Sequence, residues 1–488
     1  LSDERMDASQ LERVLRRIHR RELFGRLIDR YELTPGSLVF HLAEVPTSGP
    51  FDLMILRREV AEAAARQPGE WTVLTLETAR ATALVPVPVP ASGLASFRVR
   101  PSEQPAAWTD TFAPATATAR ALSNGLVDVA IAADGTLDVT GVDGTTLRGV
   151  GRIVDGGDRG DSYNYAPPAQ DVLVSEPTEV GVDVVEDGPL RSLIRVTRYY
   201  DWPAALSDDR DVRGAQTVPT SVETLVEVRA GEPFVRLRTS FLNRSADHRL
   251  RWHMPLPEPV MRSASAGQFA VTERGLTAEG GWGEYPIPTF PASTFVSAGP
   301  AVVLVDHATE YELVDEGSEL AITLLRAVGS ISVNIHPFRD EPAATEIPAP
   351  GAQDLGVRIE NRFAIMPSAT GWQGSNAVTL AEDFRNEALV VRGGAAGGEL
   401  PADVSGLRVD GADVLVSCVR RATDDDCGPG TEVRLVAMSD TGSAVRVTGP
   451  FSEAVTVDLL GRPLATTPAA GGLDLTLAPW EIRTLLVR

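Results

Sequence analysis

The stretch SNGLVDVAIAADGTLDVT, residues 123–140, decides the fold class. In its first half Val127, Val129 and Ile131 alternate with small or polar residues, which is the pattern of a strand with one buried face. Asp134-Gly135 follows as a typical hairpin turn, and the alternation resumes after it. Two antiparallel strands are therefore predicted here.

Segments of the same kind recur at short intervals with polar turns between them, which favours antiparallel sandwiches. A large antiparallel β-sandwich is predicted over residues 115–392 and a small C-terminal β-sandwich over residues 407–488, with the Gly/Ala-rich residues 393–406 as a linker. The clearest strand segments of the large sandwich are SLIRVTRYY (192–200), SVETLVEVRA (221–230), FVRLRTSFLN (234–243), LRWHMPLP (250–257), AVVLVDH (301–307) and ELAITLLRAV (319–328).

Residues 36–100 are predicted to form a small β domain. SLVFHLAEV, FDLMILRREV and EWTVLTLE indicate strands by their alternation. PVPVPAS, residues 86–92, holds too many prolines for a central strand and is predicted to be an edge or a linker.

Residues 1–34 carry a helical pattern instead. Apolar residues recur at helical spacing, Ser9 and Glu12 fit a capping box, and Pro35-Gly36 ends the run, so a helix is predicted over residues 9–31. Its opposite face is rich in arginine, which indicates a solvated face or one docked on an acidic neighbour; a membrane or partner site is the alternative. The predicted fold class is thus mainly β, with a short helical segment at the N-terminus.

The chain has 488 residues, enough for two to four domains, and a formal net charge of −22. This charge argues against nucleic acids and membranes as partners, because both reward basic surfaces. No stretch approaches the roughly 20 apolar residues of a membrane helix. Cys418 and Cys427 could close a disulfide within a hairpin, and the sequence leaves their pairing open.

Three aspartates, Asp155, Asp158 and Asp161, alternate with glycine in DGGDRGD. Such a run can build a calcium loop, but the glutamate that closes a calcium loop is absent. Asx-turns that shape the loop are therefore favoured.

Aromatic and imidazole side chains offer weaker signals. Three tryptophans could stack on sugars, yet each lies in an apolar run, and core burial is favoured for Trp252, Trp282 and Trp372. No two histidines have the i, i+4 spacing of a helical zinc site, so structural or surface roles are favoured for His19, His41, His248, His253, His307 and His336.

Several longer strings resemble one family. DGGDRGDSYNYAPP (155–168) resembles the Gly-Asp-rich loop ahead of a tyrosine that begins the large sandwich of glycoside hydrolase family 38 α-mannosidases. Later strings are similar to segments of that family and follow in its order: FLNRSADHRLRWHMPLP (241–257), TERGLTAEGGWGEYPIPTFPASTFV (272–296), EYELVDEGSELAITLLRAVGSIS (310–332) and LAPWEIRTLLV (477–487). The resemblance covers nearly the whole chain and identifies it with the C-terminal, β-rich portion of such an enzyme, from a bacterium.

The family's enzymes are zinc-dependent retaining α-mannosidases with an N-terminal catalytic barrel, a helical bundle and then β domains. The resemblance implies that residues 1–34 end the bundle and that the large sandwich is galactose-mutarotase-like. Retention needs two carboxylates about 5 Å apart, and the family places its nucleophile and its zinc on the barrel. SDERMDAS at the start of this chain does not match the family's His-Asp zinc motif. We therefore expect no catalytic residue and no metal ligand within this chain.

The resemblance carries three residues to a wall of the family's cleft. Tyr163 in GDSYNY, Arg274 in TERG and Asp161 are the implied substrate-binding residues. A tyrosine hydroxyl can orient a sugar hydroxyl, and an arginine can pair with diols or carboxylates. For Tyr163 the alternative is a packed ring with its hydroxyl bonded to backbone.

Three functions stay open. The first is the C-terminal part of a retaining α-mannosidase that hydrolyses terminal α-mannosides, with the catalytic barrel of the same protein as its partner. The second is a stand-alone carbohydrate-binding module without hydrolytic activity. The third is an enzyme in its own right that uses carboxylates such as Asp155 and Asp161. A cytoplasmic location is expected, and a homo-oligomer is among the assemblies that the family uses.

Overall fold

The computed structural model describes residues 2–44, 46, 49–77, 84–97, 111–391, 403–422 and 428–488. The chain divides into two compact units, Leu1–Val85 and Pro86–Arg488. Strands dominate both units, and the predicted mainly β fold class is confirmed. None of the described helices has the length and apolar character needed to cross a membrane.

The first unit is built on a five-stranded sheet. Its elements are β1 (Ser2–Asp7), α1 (Leu11–Leu15), β2 (Glu22–Leu23), β3 (Arg26–Thr34), β4 (Ser37–Ala43), α2 (Leu53–Arg66) and β5 (Glu70–Glu77). The strand order is β1-β5-β4-β3-β2; β4 and β5 run parallel with α2 as their connection, and the other pairs are antiparallel. Phe40 of β4, Trp71 of β5 and Leu56 of α2 are fully buried in one core.

The predicted helix over residues 9–31 is wrong in most of its length. Helix α1 covers only Leu11–Leu15, after which the backbone turns through left-handed conformations at Arg20 and Gly25 and continues as strand β3. The hairpin of β3 and β4 then pairs Thr34 with Ser37, across the predicted boundary between residues 1–34 and 36–100. A few apolar residues fit a helical or a strand period equally well, and cross-strand pairing decides for the strand.

The capping box also lies elsewhere than predicted. Asp7 accepts a hydrogen bond from the N–H of Ser9 (3.0 Å), and Gln10 accepts one from the N–H of Asp7 (3.1 Å). Asp7 and Gln10 thus form the box in place of Ser9 and Glu12. The observed pair has the same spacing as the predicted one and lies two residues before it in the chain.

The segment FDLMILRREV, predicted as a strand, is the first part of helix α2. Asp52 caps this helix by accepting from the N–H groups of Met54 and Ile55. Leu56 and Val60, four residues apart, are the buried positions of α2. The run of alanine, glutamate and arginine that follows favours a helix, and it outweighs the short apolar run at the start of the segment.

The second unit begins with Pro86–Pro90, which form no strand, in agreement with the predicted edge or linker. The elements that follow are β6 (Leu94–Ala95), β7 (Thr116–Thr118), β8 (Ala121–Ser123), β9 (Val127–Ile131), β10 (Leu137–Gly141), β11 (Thr146–Val150), β12 (Arg152–Gly157), β13 (Glu179–Asp187), β14 (Arg191–Pro203), β15 (Thr217–Arg229), β16 (Val235–Leu242), β17 (His248–Pro255), β18 (Ser263–Ala266), β19 (Val271–Arg274), β20 (Thr289–Ala292), β21 (Phe295–Ala298), β22 (Ala301–Val305), β23 (Thr309–Val314), β24 (Glu319–Ala327), β25 (Ser330–Ser332), β26 (Ile347–Pro348), β27 (Arg358–Pro367), α3 (Ala377–Arg385), β28 (Asp403–Val404), β29 (Arg408–Asp410), β30 (Val414–Arg421), β31 (Thr431–Ala437), β32 (Ser443–Thr448), β33 (Glu453–Val457), β34 (Pro463–Pro468), β35 (Gly472–Leu477) and β36 (Ile482–Val487).

Three antiparallel sheets build the large sandwich. A nine-stranded sheet has the order β13-β14-β15-β16-β27-β22-β21-β18-β19, and two five-stranded sheets have the orders β12-β17-β24-β23-β20 and β11-β10-β9-β8-β7. The predicted hairpin of residues 123–140 is present, with Leu137 opposite Ile131. All three sheets contribute to one core, which includes Trp202, Trp252 and Val139.

The C-terminal sandwich pairs the sheet β30-β31-β36-β33-β34 with the sheet β29-β32-β35. Leu435 and Leu485 of the first sheet and Val445 and Leu477 of the second share its core. Residues 393–402 of the predicted linker and Cys427 lie outside the described residues. The remaining domain boundaries stay predictions.

Candidate functional site

A short aspartate-rich loop follows strand β12, and we call residues 158–166 the aspartate loop. Asp158 accepts hydrogen bonds from the N–H groups of Gly160 (2.9 Å) and Ala166 (3.2 Å). Asp161 accepts from the N–H groups of Tyr163 (3.0 Å) and Asn164 (3.1 Å). The bonds from Gly160, Tyr163 and Asn164 are Asx-turns, as predicted from the spacing of the aspartates, and together with the longer bond from Ala166 they fix the loop from inside.

The second oxygen of each aspartate is bound to an arginine from another part of the chain. Asp158 Oδ2 accepts from Arg326 Nε (2.8 Å), and Asp161 Oδ2 accepts from Arg339 Nη2 (2.5 Å). Burial alone would raise the pKa of the Asp161 carboxyl, but the hydrogen bonds from Arg339 and from nearby backbone N–H groups hold that pKa below its usual range. Both carboxylates are fully buried.

Asp161 is therefore a residue that shapes the loop, and the structure does not place it where a substrate could reach it. Asp155 is equally enclosed: its oxygens contact His248 Nδ1 (2.6 Å) and Arg213 Nη2 (2.6 Å), with both partners buried. The third function considered above, catalysis by Asp155 and Asp161, has no accessible carboxylate at these two positions.

Tyr163 stands out from the loop with 56% of its surface exposed. Its hydroxyl has no hydrogen-bond partner among the described residues, so the packed alternative is not what is observed. The ring lies 5.9 Å from the guanidinium of Arg339 and forms part of a cavity of about 180 Å³. The other residues of this cavity are Asn164, Tyr165, Ile287, Pro288, Thr289, Phe290, Pro291, Glu310 and Phe338.

Glu310 is the acidic residue in this set, and it was not predicted. It accepts a hydrogen bond from Thr323 Oγ1 (2.8 Å) and pairs with Arg249 Nη2 (3.1 Å), while 26% of its side chain stays exposed. Arg249 also stacks 4.3 Å from the ring centroid of Tyr165. Burial raises the pKa of Tyr165 to about 12, so its hydroxyl is neutral. The cavity thus presents two tyrosines and one oriented carboxylate.

Arg274 lies on strand β19 and does not line the cavity. Its guanidinium sits 5.5 Å from the ring centroid of Phe290, and Phe290 itself forms part of the cavity. Tyr163 therefore lines the cavity, whereas Arg274 contacts one of its lining residues, Phe290.

Trp282 is fully exposed, which contradicts the core position predicted for it. It occupies a left-handed conformation (φ 45°) in the tight turn closed by Gly281 and Glu284. The turn is held next to the cavity because the N–H of Tyr285 donates to the carbonyl of Phe338 (3.0 Å), a cavity residue. Trp252 is buried as predicted, and Trp372 is partly buried against Phe295.

The histidines do not form a metal site. His253 binds Glu319 (2.8 Å), His307 binds Asp306 (2.5 Å) and His336 Nε2 binds the carbonyl of Asn164 (3.1 Å). Over the part of the chain that the structure describes, no three His, Cys, Asp or Glu side chains converge as metal ligands. The described residues therefore do not fit a zinc ion.

No protein-family model and no curated protein matches the chain. Two solved structures are similar to it. One is a protein in the glycosyl hydrolase family 38 from Enterococcus faecalis, which is 18% identical and superposes with a TM-score of 0.63. The match covers 77% of this chain and 44% of that protein. The other is an α-mannosidase from Enterococcus faecalis V583, with the same identity and TM-score and a coverage of 77% and 43%. This chain thus spans less than half of either protein, and it has the fold of part of a glycosyl hydrolase family 38 protein.

Proposed function

We propose that this chain is the C-terminal, β-rich part of a retaining α-mannosidase of glycoside hydrolase family 38 and lines one wall of its cleft. The observation that carries the proposal is the placement of Tyr163. Its hydroxyl is exposed and without a partner among the described residues, while the loop beneath it is held by two buried aspartate–arginine pairs. Because the loop already holds Tyr163 in place, its hydroxyl can donate to and accept from a sugar hydroxyl with little loss of entropy on binding.

The other cavity residues suit a sugar as well. Glu310 can accept hydrogen bonds from a pair of hydroxyls, and the rings of Tyr163, Phe290 and Phe338 offer apolar surface to the C–H faces of a pyranose. Glu310 is already paired with Arg249, which suits binding better than nucleophilic attack. We infer that the nucleophile and the acid/base lie on a catalytic barrel outside this chain, about 5 Å apart as retention requires.

The test compares the complete protein that contains this chain with its Tyr163→Phe variant. We expect hydrolysis of p-nitrophenyl α-D-mannoside by the complete protein and a loss of about 5- to 10-fold in kcat/KM for the variant, because one neutral hydrogen bond to the sugar is lost. Tyr199→Phe is the matched control, since Tyr199 is also exposed but lies on strand β14.

The 488-residue chain alone is expected to show no turnover. Hydrolysis by the isolated chain would place the catalytic groups within it and contradict the proposal. Equal activity of the Tyr163→Phe and Tyr199→Phe variants would show that Tyr163 does not contact the substrate.

A stand-alone carbohydrate-binding module is the second candidate, and the exposure of Trp282 and Tyr285 favours it. Exposed aromatic rings are the usual stacking surfaces for sugars in such modules. Calorimetric titration of the isolated chain with methyl α-D-mannoside and mannobiose distinguishes the two candidates. Binding that Trp282→Ala abolishes, together with an inactive complete protein, would favour the module.

A further inference from the structure

A second groove, unrelated to the cavity at Tyr163, crosses the outer face of the nine-stranded sheet. It has a volume of about 350 Å³ and spans strands β14, β15, β16 and β27. Its apolar floor includes Leu193 and Leu225. Five arginines and three carboxylates line it: Arg191, Arg229, Arg236, Arg238, Arg362, Glu227, Asp306 and Glu387. We call it the arginine groove.

On a chain whose formal net charge is −22, this groove gathers five arginines. Five carboxylates lie beside them when Glu186 and Glu232 are counted with the three that line the groove. The hydrogen bond from Arg229 first, and the nearby charges of Arg236 and Arg362, hold the pKa of the Glu387 carboxyl below the usual range. A guanidinium group that has no counterion and lies in a concave surface attracts small anions.

Four of the five arginines have carboxylate partners. Arg191 pairs with Glu186 (2.5 Å), and Arg362 with Asp306 (2.8 Å). Arg229 and Arg236 share Glu387, at 2.8 Å and 3.3 Å, and each has a further carboxylate. These four guanidinium groups are thus held in place by the protein.

Arg238 is the exception. It is exposed, and within the described ranges it makes no ion pair and no hydrogen bond. In the pairing of β16 with β27 it lies directly opposite Arg362, and on its other side it lies opposite Leu225. Two like charges directly opposite each other on neighbouring strands are destabilising. Arg362 has Asp306 as its counterion (2.8 Å), whereas Arg238 has none among the described residues, so an anion beside Arg238 would relieve the repulsion between the two guanidinium groups.

We propose that the arginine groove binds a tetrahedral oxyanion carried on a sugar, a phosphate or sulfate ester, between the guanidinium groups of Arg238 and Arg362. Guanidinium groups bind such oxyanions through paired N–H donors. Leu193 and Leu225 beside them offer apolar contact to the sugar ring. Four strands spaced about 4.8 Å apart give the groove room for a mono- or disaccharide.

The experiment is a calorimetric titration of the whole chain with glucose 6-phosphate, glucose 6-sulfate, inorganic phosphate and glucose, at an ionic strength kept constant with NaCl. We expect both sugar esters to bind, inorganic phosphate to bind more weakly because it lacks the ring, and glucose not to bind. A preference for one ester identifies the natural anion. Equal, unsaturable heats from all four ligands would overturn the proposal.

Arg238→Gln should weaken binding of the better ester by about tenfold or more, since a charge-assisted hydrogen bond is lost. Arg238→Lys should give an intermediate affinity, because lysine keeps the positive charge but lacks the paired N–H donors of a guanidinium group. Arg446→Gln is the control, since Arg446 is exposed and paired with Asp474 on another sheet, and it should bind as the wild type does.

Thermal unfolding separates binding from a structural role. Without ligand, Arg238→Gln should melt at or above the wild-type temperature, because the repulsion with Arg362 is relieved. The ester should raise the melting temperature of the wild type and not that of Arg238→Gln. A variant that melts well below the wild type without ligand, or that responds to the ester as the wild type does, would overturn the proposal.

Discussion

Arg339 ties the aspartate loop to residues 333–340 through one buried ion pair with Asp161. The same guanidinium donates to Asn164 Oδ1 (3.0 Å) and lies beside the ring of Tyr163. A single arginine thus contacts three residues of the loop that carries Tyr163. The position of Arg339 depends in turn on the carboxylate of Asp161, which is fully buried.

Asp161→Asn should cost about 3 kcal/mol of unfolding free energy, because it leaves the buried charge of Arg339 without a counterion. Urea denaturation measures this loss. Asp201→Asn is the matched control, since Asp201 is exposed on β14 and has no ion pair among the described residues. A loss below 1 kcal/mol for Asp161→Asn would mean that the pair does not hold the loop.

His253 gives the molecule a pH dependence of definite sign. Burial lowers the pKa of His253, although the hydrogen bond with Glu319 opposes the shift. The unfolded chain, with a histidine pKa of about 6.5, then binds the proton more readily than the folded chain. The stability that comes from His253 is present above that pH and is lost as the pH falls below it.

We therefore expect the unfolding free energy of the wild type to fall between pH 7 and pH 5, and that of His253→Gln to fall less. His307→Gln should act in the opposite direction, because its hydrogen bond with Asp306 raises the pKa of His307. Chemical denaturation at both pH values measures the two slopes. Identical slopes for the wild type and His253→Gln would contradict the assignment.

Part of this site could be predicted from single residues. The spacing of Asp158 and Asp161 predicted Asx-turns, because such turns depend only on residues two or three positions away. Glu310 could not be found this way, since its role depends on strand β23 lying beside a loop far away in the chain. Trp282 was assigned to the core as one of three tryptophans placed in apolar runs. Its immediate neighbours are Gly280, Gly281 and Gly283, and the turn that they form carries it into solvent.

Among the elements, the aspartate loop is the one most sensitive to volume. A Cβ on Gly160 would lie 2.1 Å from the carbonyl oxygen of Asn164 and 2.9 Å from the nitrogen of Ala166, both backbone atoms. The Asn164 oxygen accepts a hydrogen bond from the N–H of Asp161 (3.1 Å), and the N–H of Ala166 donates one to Asp158 Oδ1 (3.2 Å), so neither atom can move without breaking a hydrogen bond of the loop. The loop therefore requires glycine at this position for space.

Gly160→Ala should lose about 2 kcal/mol of unfolding free energy through this clash. Gly181→Ala on strand β13 is the control, because a Cβ there meets nothing within 4 Å and the backbone is ordinary. Urea denaturation of both variants gives the comparison. Equal stability of the two variants would show that the loop can rearrange.

Elements with strict alternation, such as β9 and β10, were predicted correctly because the pattern continues over several residue pairs. The predicted helix over residues 9–31 was wrong because Gly25 and its neighbours interrupt the run with left-handed backbone. Such a turn is visible in the sequence only as one glycine. Helix α2 was missed because it begins with four consecutive apolar residues, 53–56, and a short apolar run fits a strand as well as a helix.

At the scale of the whole molecule, each core belongs to one unit. The core with Phe40 and Trp71 draws on the first unit, and the core with Trp202 and Trp252 draws on the second. Strand order could not be predicted from the sequence: β27 lies between β16 and β22, and such distant pairing leaves no local trace.

The hydrophobic cores of the unit Pro86–Arg488 contain no residue of the first unit. This unit should therefore fold when it is produced alone. We expect a β-type circular dichroism spectrum and a cooperative thermal transition from this fragment. The wild-type chain measured in parallel is the control. A fragment that shows no cooperative transition would mean that its cores depend on residues 1–85.

The position of Trp282 has an optical consequence. Trp71, Trp202 and Trp252 are enclosed, so their emission is shifted to shorter wavelengths and shielded from acrylamide, whereas the indole of Trp282 emits from water and is open to quenching. Any molecule that covers the turn at Gly281–Glu284, whether a glycan or another domain of the same protein, shields that indole. Trp372 and Trp480 are partly buried, and Trp108 lies outside the described residues. The difference in quenching between the wild type and Trp282→Phe therefore reports when the rim of the cavity is occupied.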